Sequence, residues 1–336
     1  MKQIAHQNHF VSQFYLRQWS EDGTGIYRYD TLVPSATVPL WQKVSIEKNA
    51  VFQDLYTSTQ SGLENDDFER WIKRDFEDPA KPALDKVINN KSLTQDDINR
   101  LVLFLALQDV RTPTAYGESA KRWKNTFPKL LENTMKLSVK KLEKMKGKKI
   151  HRKAKDKHRF SLDGLINTTI VRDENGAYLK TELLAGRELW LRQQRHLLTG
   201  IAKYLLQQKW SIFYPCNGVE WFTSDHPVVR LNYYSNGNFD IRGGWGNKNG
   251  NVFMPLSPKH LLFTQIDFPE TKLYESISVE ETMQLQNILA QRAYKWIYAQ
   301  KPLKEVEYLR PRLVDKEAFN KDLEQQRNWH KNQSNT

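Results

Sequence analysis

The chain has one cysteine, Cys216, among 336 residues. That excludes an intramolecular disulfide framework and a cysteine-rich zinc site, and it fits a reducing compartment. No run reaches the roughly 18–20 apolar residues needed to span a bilayer. The first residues also lack the basic, apolar and small-residue order of a signal peptide. A cytoplasmic protein with no membrane partner is therefore expected. Gly-x-x-x-x-Gly-Lys-Ser/Thr, His-Glu-x-x-His and Cys-x-x-Cys are all missing, which argues against a nucleotide-hydrolysing switch, a zincin and a zinc ribbon. No Gly-x-Ser-x-Gly elbow surrounds Ser224, so a serine hydrolase is not indicated. No internal repeat is evident.

What is present is ample apolar material: 39% hydrophobic residues, 12% aromatics and ten tryptophans. That composition can bury a substantial core. The net charge of +12 is concentrated. Residues 121–160 hold 16 lysines and arginines against 3 acidic residues, a net of +13, so the rest of the chain carries −1. A charge so localised marks either a surface that meets a polyanion or a solvated arm.

The stretch His6-Gln-Asn-His9-Phe-Val-Ser-Gln13-Phe14-Tyr15-Leu16-Arg17-Gln-Trp19 is dense for a chain start, where residues usually fray. Phe10, Phe14 and Trp19 fall near helical spacing, and His9, Gln13 and Arg17 form a neighbouring polar stripe. Ile26–Tyr29 alternates like a short strand. Phe68, Trp71, Ile72 and Phe76 predict an amphipathic helix, which Pro79 and Pro82 interrupt and Ala83–Ile88 resumes. Thr94 and Asp97 form a helix start, and the nearly all-round apolar run from Ile98 to Leu107 predicts a central buried helix. It ends at Gln108-Asp-Val-Arg111-Thr-Pro113, where Pro113 stops or kinks it.

A lysine-rich helix is expected over 115–146, then a basic mobile insertion at about 140–160 with almost nothing to bury. Leu183–Leu206 reads as another long helix. Segments between 210 and 266 read as strands separated by Gly, Asn and Pro, with a Gly-Asn-rich loop or lid over 235–250. Helix returns over 280–300, and the polar tail over 316–336 is expected to fray. Helices in the middle and strands later predict an α+β fold: a central helical bundle packed against a mostly antiparallel sheet formed largely by residues 210–266, in one domain over 1–310.

Several groups could carry chemistry. His6 and His9, three apart, would lie on one side of a helix; they either hydrogen-bond backbone or share a metal, with Asp225 or His226 as a distant ligand. Asp225, two before Pro227, either makes a turn or supplies a carboxylate at a strand end. Arg111 and Arg17 either pair with a carboxylate or offer a planar fork to a phosphate. The basic segment, including Lys140, Lys141, Lys144, Lys148, Lys149, Arg152, Lys153 and Lys155, would neutralise phosphates without reading sequence.

Taken together, His9-Phe-Val-Ser-Gln-Phe-Tyr-Leu-Arg-Gln-Trp19, Gln108-Asp-Val-Arg111-Thr-Pro113, Phe222-Thr-Ser-Asp225-His-Pro227-Val, Pro255-Leu-Ser-Pro258 and the late Asn287 with Ile297-Tyr298 resemble, in that order, the microbial family known as domain of unknown function 4238. The resemblance spans about residues 6 to 300. Ser12 stands where the family pattern has proline, and His226 where it has asparagine. The resemblance implies that His9, Gln13, Arg17, Gln108, Arg111, Ser224 and Asp225 form one convergent site. It implies no reaction.

The expected function is a nucleic-acid-directed phosphodiesterase or nuclease of the toxin or phage-defence kind. His9 would be its acid/base, Asp225 a ligand for Mg²⁺ or Mn²⁺ or an orienting group, Arg111 and Arg17 its charge stabilisers, and residues 121–160 the guide for nucleic acid. The alternatives are a non-catalytic nucleic-acid-binding or regulatory module and a small-molecule hydrolase.

Overall fold

Early and late parts of the chain share a sheet. In the computed structural model, which describes residues 6–60, 63–146, 162–174, 176–235, 238–241, 243–269 and 272–334, strand Gly25–Asp30 lies between Trp41–Ser45 and Trp296–Ala299. Thr223–Ser224 completes this four-stranded antiparallel sheet. A second, six-stranded sheet has the order 238–240, 229–235, 251–257, 260–265, 211–214, 274–276. All its pairings are antiparallel except the last. This is the sheet expected over 210–266, extended by one edge strand.

The helices follow from the opening motif onward. The short α1 (Gln13–Leu16) lies ahead of α2 (Asp67–Ile72), which passes through a wide π turn at Lys73–Glu77 into α3 (Asp78–Ile88). Next come α4 (Gln95–Val110) and the 32-residue α5 (Pro113–Lys144). Then α6 (Arg187–His196), a π turn at Leu197–Ile201 and α7 (Lys203–Leu206) run end to end. The chain finishes with α8 (Val279–Arg292), α9 (Lys304–Leu309) and α10 (Lys316–Ser334). With 44% helix and 25% strand in separate runs, the fold is α+β.

Local sequence accounts for the central helix. The Thr94 hydroxyl accepts from the Asp97 amide at 3.2 Å, and the Asp97 carboxylate accepts the Thr94 amide at 2.9 Å. This reciprocal cap satisfies two donors that a helix start leaves free. From Leu101 to Val110 only Leu103 is not fully buried, so α4 runs through the core.

The opening motif packs directly on α4: the rings of Phe14 and Tyr15 lie 4.9 and 5.9 Å from Phe104. It also fastens the helices to the sheets. Tyr15 Oη donates to the Pro255 carbonyl at 2.8 Å and meets Thr223 Oγ1 at 2.6 Å, while Trp19 Nε1 donates to the Trp221 carbonyl at 2.8 Å. Of the aromatic stripe expected to bury, Phe10 and Trp19 are buried and Phe14 is half-buried against the core.

Five expectations are corrected. The helix expected over 280–300 ends at Arg292, and Trp296–Ala299 is a strand. His6 and His9 are not on a helix, because Gln7–His9 is a strand paired with Val51–Gln53. Pro79 and Pro82 do not interrupt the helical path. The π turn has already shifted the hydrogen-bond ladder before Pro79, which occupies the first turn of α3 where no donor is missed, and Pro82 gives up a single bond. The helix expected from Leu183 begins only at Arg187, because Ile166–Asp173 and Gly176–Leu183 form a hairpin. The tail is helical over Lys316–Ser334: Asp315 accepts the Ala318 amide at 2.9 Å and starts α10, which Lys295 holds through Asp322 at 2.5 Å. The expected mobile arm lies mostly outside the described residues.

Replacing Tyr15 with Phe keeps the ring and leaves Pro255 and Thr223 without their buried partner. It is expected to lower the unfolding free energy by about 1–3 kcal/mol, measured as a shift of the urea midpoint at unchanged slope.

Candidate functional site

The last turn of α4 points in two directions. Toward the opening motif, Arg111 is 1% exposed. Its Nε donates to Tyr56 Oη at 3.1 Å, and Nη1 donates to Ser12 Oγ at 3.0 Å and to the Glu77 carboxylate. Nη2 donates to the His9 carbonyl oxygen. Four of five guanidinium N–H groups are thus taken by protein oxygens. Gln108 Nε2 joins the same centre, donating to Ser12 Oγ at 3.1 Å. Ser12 therefore supplies a hydroxyl that the network uses. Arg111 and Gln108 do meet the opening motif, but they tie it down and present no open fork to a phosphate.

Beside this network sits Glu69, whose Oε2 is buried with no hydrogen-bond partner. Burial raises its carboxyl to about 7 despite the opposing pull of Arg111, and Glu77 and Asp66 push the same way. Glu77, in contrast, is held below the ordinary range, because Arg111 and Ser12 outweigh the burial that would raise it.

The remaining expected residues divide. His9 Nε2 donates to the Glu47 carbonyl at 2.9 Å and lies 3.0 Å from Gln13 Nε2, and Arg17 Nη2 donates to Gln13 Oε1 at 3.1 Å. His9, Gln13 and Arg17 thus form the expected stripe. Burial, more than any other influence, lowers the His9 ring. His6 pairs with Asp54 at 2.7 Å.

Asp225 lines a separate cavity of about 450 Å³ with Phe10, Val51, Pro113 and Thr114, but its carboxylate is engaged by backbone. Its two carboxylate oxygens accept the amides of Tyr294 and Lys295 at 2.9 and 2.8 Å, holding the turn between α8 and strand 296–299. Burial raises Asp225 to about 6 even against those amides. Ser224 Oγ accepts the His226 amide at 3.1 Å within the same turn. No hydrogen bond or ion pair among the described residues joins Asp225 to His9, and none of the described His, Cys, Asp and Glu residues form a group of three able to hold a metal. Lys140, Lys141 and Lys144 are exposed on α5. Lys148, Lys149, Arg152, Lys153 and Lys155 lie outside the described residues.

On the opposite side of the helix end, Asp109 organises a second network that local sequence reasoning missed. Its Oδ2 accepts from Trp245 Nε1 at 2.8 Å and lies 3.2 Å from Arg230 Nε. Its Oδ1 has no hydrogen-bond partner and is 4.0 Å from His226 Nε2. Burial would raise Asp109, but Arg230, His226 and Arg292 overcome it and hold the carboxyl at about 2.

Arg292, in the last turn of α8, donates to His226 Nε2 at 2.6 Å and reaches Glu118 at 3.4 Å. Arg230 reaches the other Glu118 oxygen at 3.6 Å. Because Nε2 accepts from arginine, the neutral ring carries its proton on Nδ1. Burial and Arg292 both lower its pKa.

This network forms one wall of a cleft of about 1080 Å³ between α5, α6 and the glycine-rich loop 243–247. Asp109, Glu118, Arg122, Arg230 and Gln194 contribute its polar lining. The Glu118 side chain is 48% exposed, the most open of the acids here. Cations and carboxylates facing one concave space are the pattern of a site rather than of a packed core. Asp109 stands within the motif Gln108-Asp-Val-Arg111 and His226 within Thr-Ser-Asp-His-Pro, so those two were within reach of sequence reading. Glu118, Arg230, Arg292 and Trp245 sit in no motif and meet only in the fold.

A family profile described as Protein of unknown function (DUF4238) matches residues 7–302. The chain belongs to this family. The matched span includes the opening motif, both networks and the cleft, and ends before α9. No curated protein and no solved structure matches the chain. Among the described residues no helix is long and apolar enough to cross a membrane.

The Glu69 carboxyl gives the first network a pH signature. Its folded pKa of about 7 exceeds the unfolded value of 4.5, so the folded state holds a proton that the unfolded chain releases between those values. Stability therefore falls as pH rises through that window. Glu69→Gln is expected to remove a loss on the order of 2–3 kcal/mol, seen when denaturation free energies of the two proteins are compared from pH 4.5 to 7.5.

Proposed function

We propose that the protein is a nucleic-acid-directed phosphodiester hydrolase whose centre is the Glu118–Arg230–Arg122 cleft. The observation that carries this reading is the course of the basic residues on α5. Arg122 lines the cleft, and Lys129, Lys136, Lys140 and Lys144 follow at spacings of seven, seven, four and four, which keeps them near one face of the helix. At about 1.5 Å per residue the stripe runs roughly 33 Å, about the length of ten base pairs. A polyanion lying along it is led into the cleft.

There, Arg122 and Arg230 would hold the phosphate and stabilise the charge that grows on it, and Glu118 would take a proton from the attacking water as the P–O bond to the leaving strand breaks and that oxygen takes a proton from solvent. Arg292 and Asp109 position these groups, Arg292 through Glu118 and Asp109 through Arg230. The catalytic roles first considered for His9, Arg111 and Arg17 pass to the cleft. The opening motif then acts as its scaffold.

A second reading rests on Asp109. Its bond to Trp245 and ion pair with Arg230 also clamp the loop 243–247 and strand 229–235 to α4. On that basis the module binds nucleic acid without cleaving it.

Purified protein with labelled RNA and DNA, with and without Mg²⁺ or Mn²⁺, separates the two. Wild type is expected to cleave, Glu118→Gln to lose at least about 100-fold, and circular dichroism to show both folded alike. Cleavage by Glu118→Gln at the wild-type rate would remove the catalytic assignment. Lys129, Lys136 and Lys140 changed together to Glu should lower the slope of log affinity against log salt by about three. An unchanged slope would sink the guiding role of the stripe.

A further inference from the structure

Two parts of the chain present apolar faces to solvent. The first is the distal half of α5. Past Ser119 no residue of this helix is buried. Leu130, Met135, Leu137, Val139 and Leu142 are all exposed there, Leu137 at 68%. At about 100° per residue these five share one side of the helix with the half-buried Phe127 and Leu131. Lys129, Lys136 and Lys140 fall on the opposite side.

The second is the hairpin of Ile166–Asp173 and Gly176–Leu183. Among the described residues no other strand pairs with it. Its register sets Ile166 opposite Leu183, Thr168 opposite Thr181 and Ile170 opposite Leu179, which puts all six on one face. Ile170 is 68% exposed and Leu179 49%. A two-stranded hairpin alone is only marginally stable in water, and grouped apolar side chains left in solvent mark contact surfaces.

The two surfaces fit each other better than either fits itself. The helical positions from Leu130 to Leu142 span roughly 18 Å. The ladder spans roughly 14 Å from its first pair to its last, and a helix about 10 Å across covers both of its strands. Charge decides between like and unlike pairing. Residues 129–144 hold five lysines and two glutamates, whereas 166–183 hold three acidic and two basic residues. Helix against helix would bring +3 to +3, and helix against hairpin brings +3 to −1. Both faces are open in the single chain, so neither covers the other there.

We infer that the chain pairs as a two-fold dimer, with the distal α5 of one copy laid across the hairpin of the other. A two-fold axis makes this contact twice and leaves neither surface uncovered. The lysine stripe, on the far side of α5, stays open to solvent. The dimer therefore stands apart from the phosphodiesterase reading and does not depend on it.

The test is sedimentation equilibrium of the full chain at micromolar concentration. The wild type is expected at twice the mass of one chain. Leu137→Lys and Ile170→Lys each change an exposed side chain, and each should weaken the dimer at least about tenfold with circular dichroism unchanged. Mixing the two variants is the sharper measurement. The mixed pair keeps one contact of unaltered helix on unaltered hairpin, so it should dimerise more tightly than either variant alone. A monomeric wild type overturns the inference, and if that monomer floats with vesicles of anionic lipid, the α5 face belongs to a membrane surface instead. A dimer that Ile170→Lys leaves intact overturns it as well, since another surface then holds the copies together. Mixed variants that associate no better than either alone do the same.

Discussion

A guanidinium withdrawn from water is stable only if the protein replaces the water. At Arg111 that replacement comes from four separate pieces of chain: the strand ending at His9, Ser12 before α1, Tyr56 in the loop, and Glu77 in the π turn. The Tyr56 hydroxyl donates back to the Arg111 carbonyl at 2.7 Å, so the residue is gripped at both side chain and backbone. This one charge explains why an N-terminal segment that would otherwise fray is ordered. It also explains why the helix α2–α3 has its wide turn at Lys73–Glu77, where the extra residue per turn brings the Glu77 carboxylate to the guanidinium. With the opening motif fixed, Tyr15 and Trp19 can bridge from α4 to both sheets, and the sheets in turn set the positions of His226 and Arg230.

How much of this was legible in the sequence depends on the range over which each feature is encoded. The buried helix α4 was legible to its cap, because Thr94 and Asp97 are three residues apart and the apolar run is continuous. The strands after 210 were legible because alternation and turn residues are local. Gln108 and Arg111 could be singled out, since polar groups ending an apolar helix are conspicuous, but their role could not: the choice between a structural pair and a substrate fork depends on Glu77, 34 residues upstream, and on what else is near.

The Asp109 network was less accessible still. Its members come from α4, α5, α8, strand 229–235, the 226 turn and the 243–247 loop, and no spacing rule links them. The π turns were invisible for a related reason. They are set by what the helix must reach, whereas helix propensity reports only whether it can form. The tail over 316–334 was misread because its composition is polar, while its order comes from a cap at Asp315 and one ion pair to Lys295.

The two networks differ in what they leave unsatisfied. Around Arg111 four of the five guanidinium donors are matched, while Gln108 Oε1 and Glu69 Oε2 beside them are not. In the lining of the cleft, Asp109 Oδ1 and the whole Gln194 amide lack partners. Natural proteins leave few buried polar atoms unmatched, and when several line one space their common cause is more economically sought in that space than in separate packing faults.

Asp109 and Arg111 are two residues apart, and about 100° of helical rotation per residue places them on roughly opposite sides of the α4 terminus. Only Val110 separates the clamp from the cleft. Deleting or inserting a single residue there would turn one side chain about a quarter of the way around the axis relative to the other. No rotamer change recovers such a displacement for a buried arginine and a buried carboxylate at once. Val110 can be exchanged without turning either side chain about the axis, but the length of the segment cannot drift. The segment Gln108–Thr112 therefore acts as a ruler, in which the count of residues matters more to the two sides than the identity of the residue at its centre.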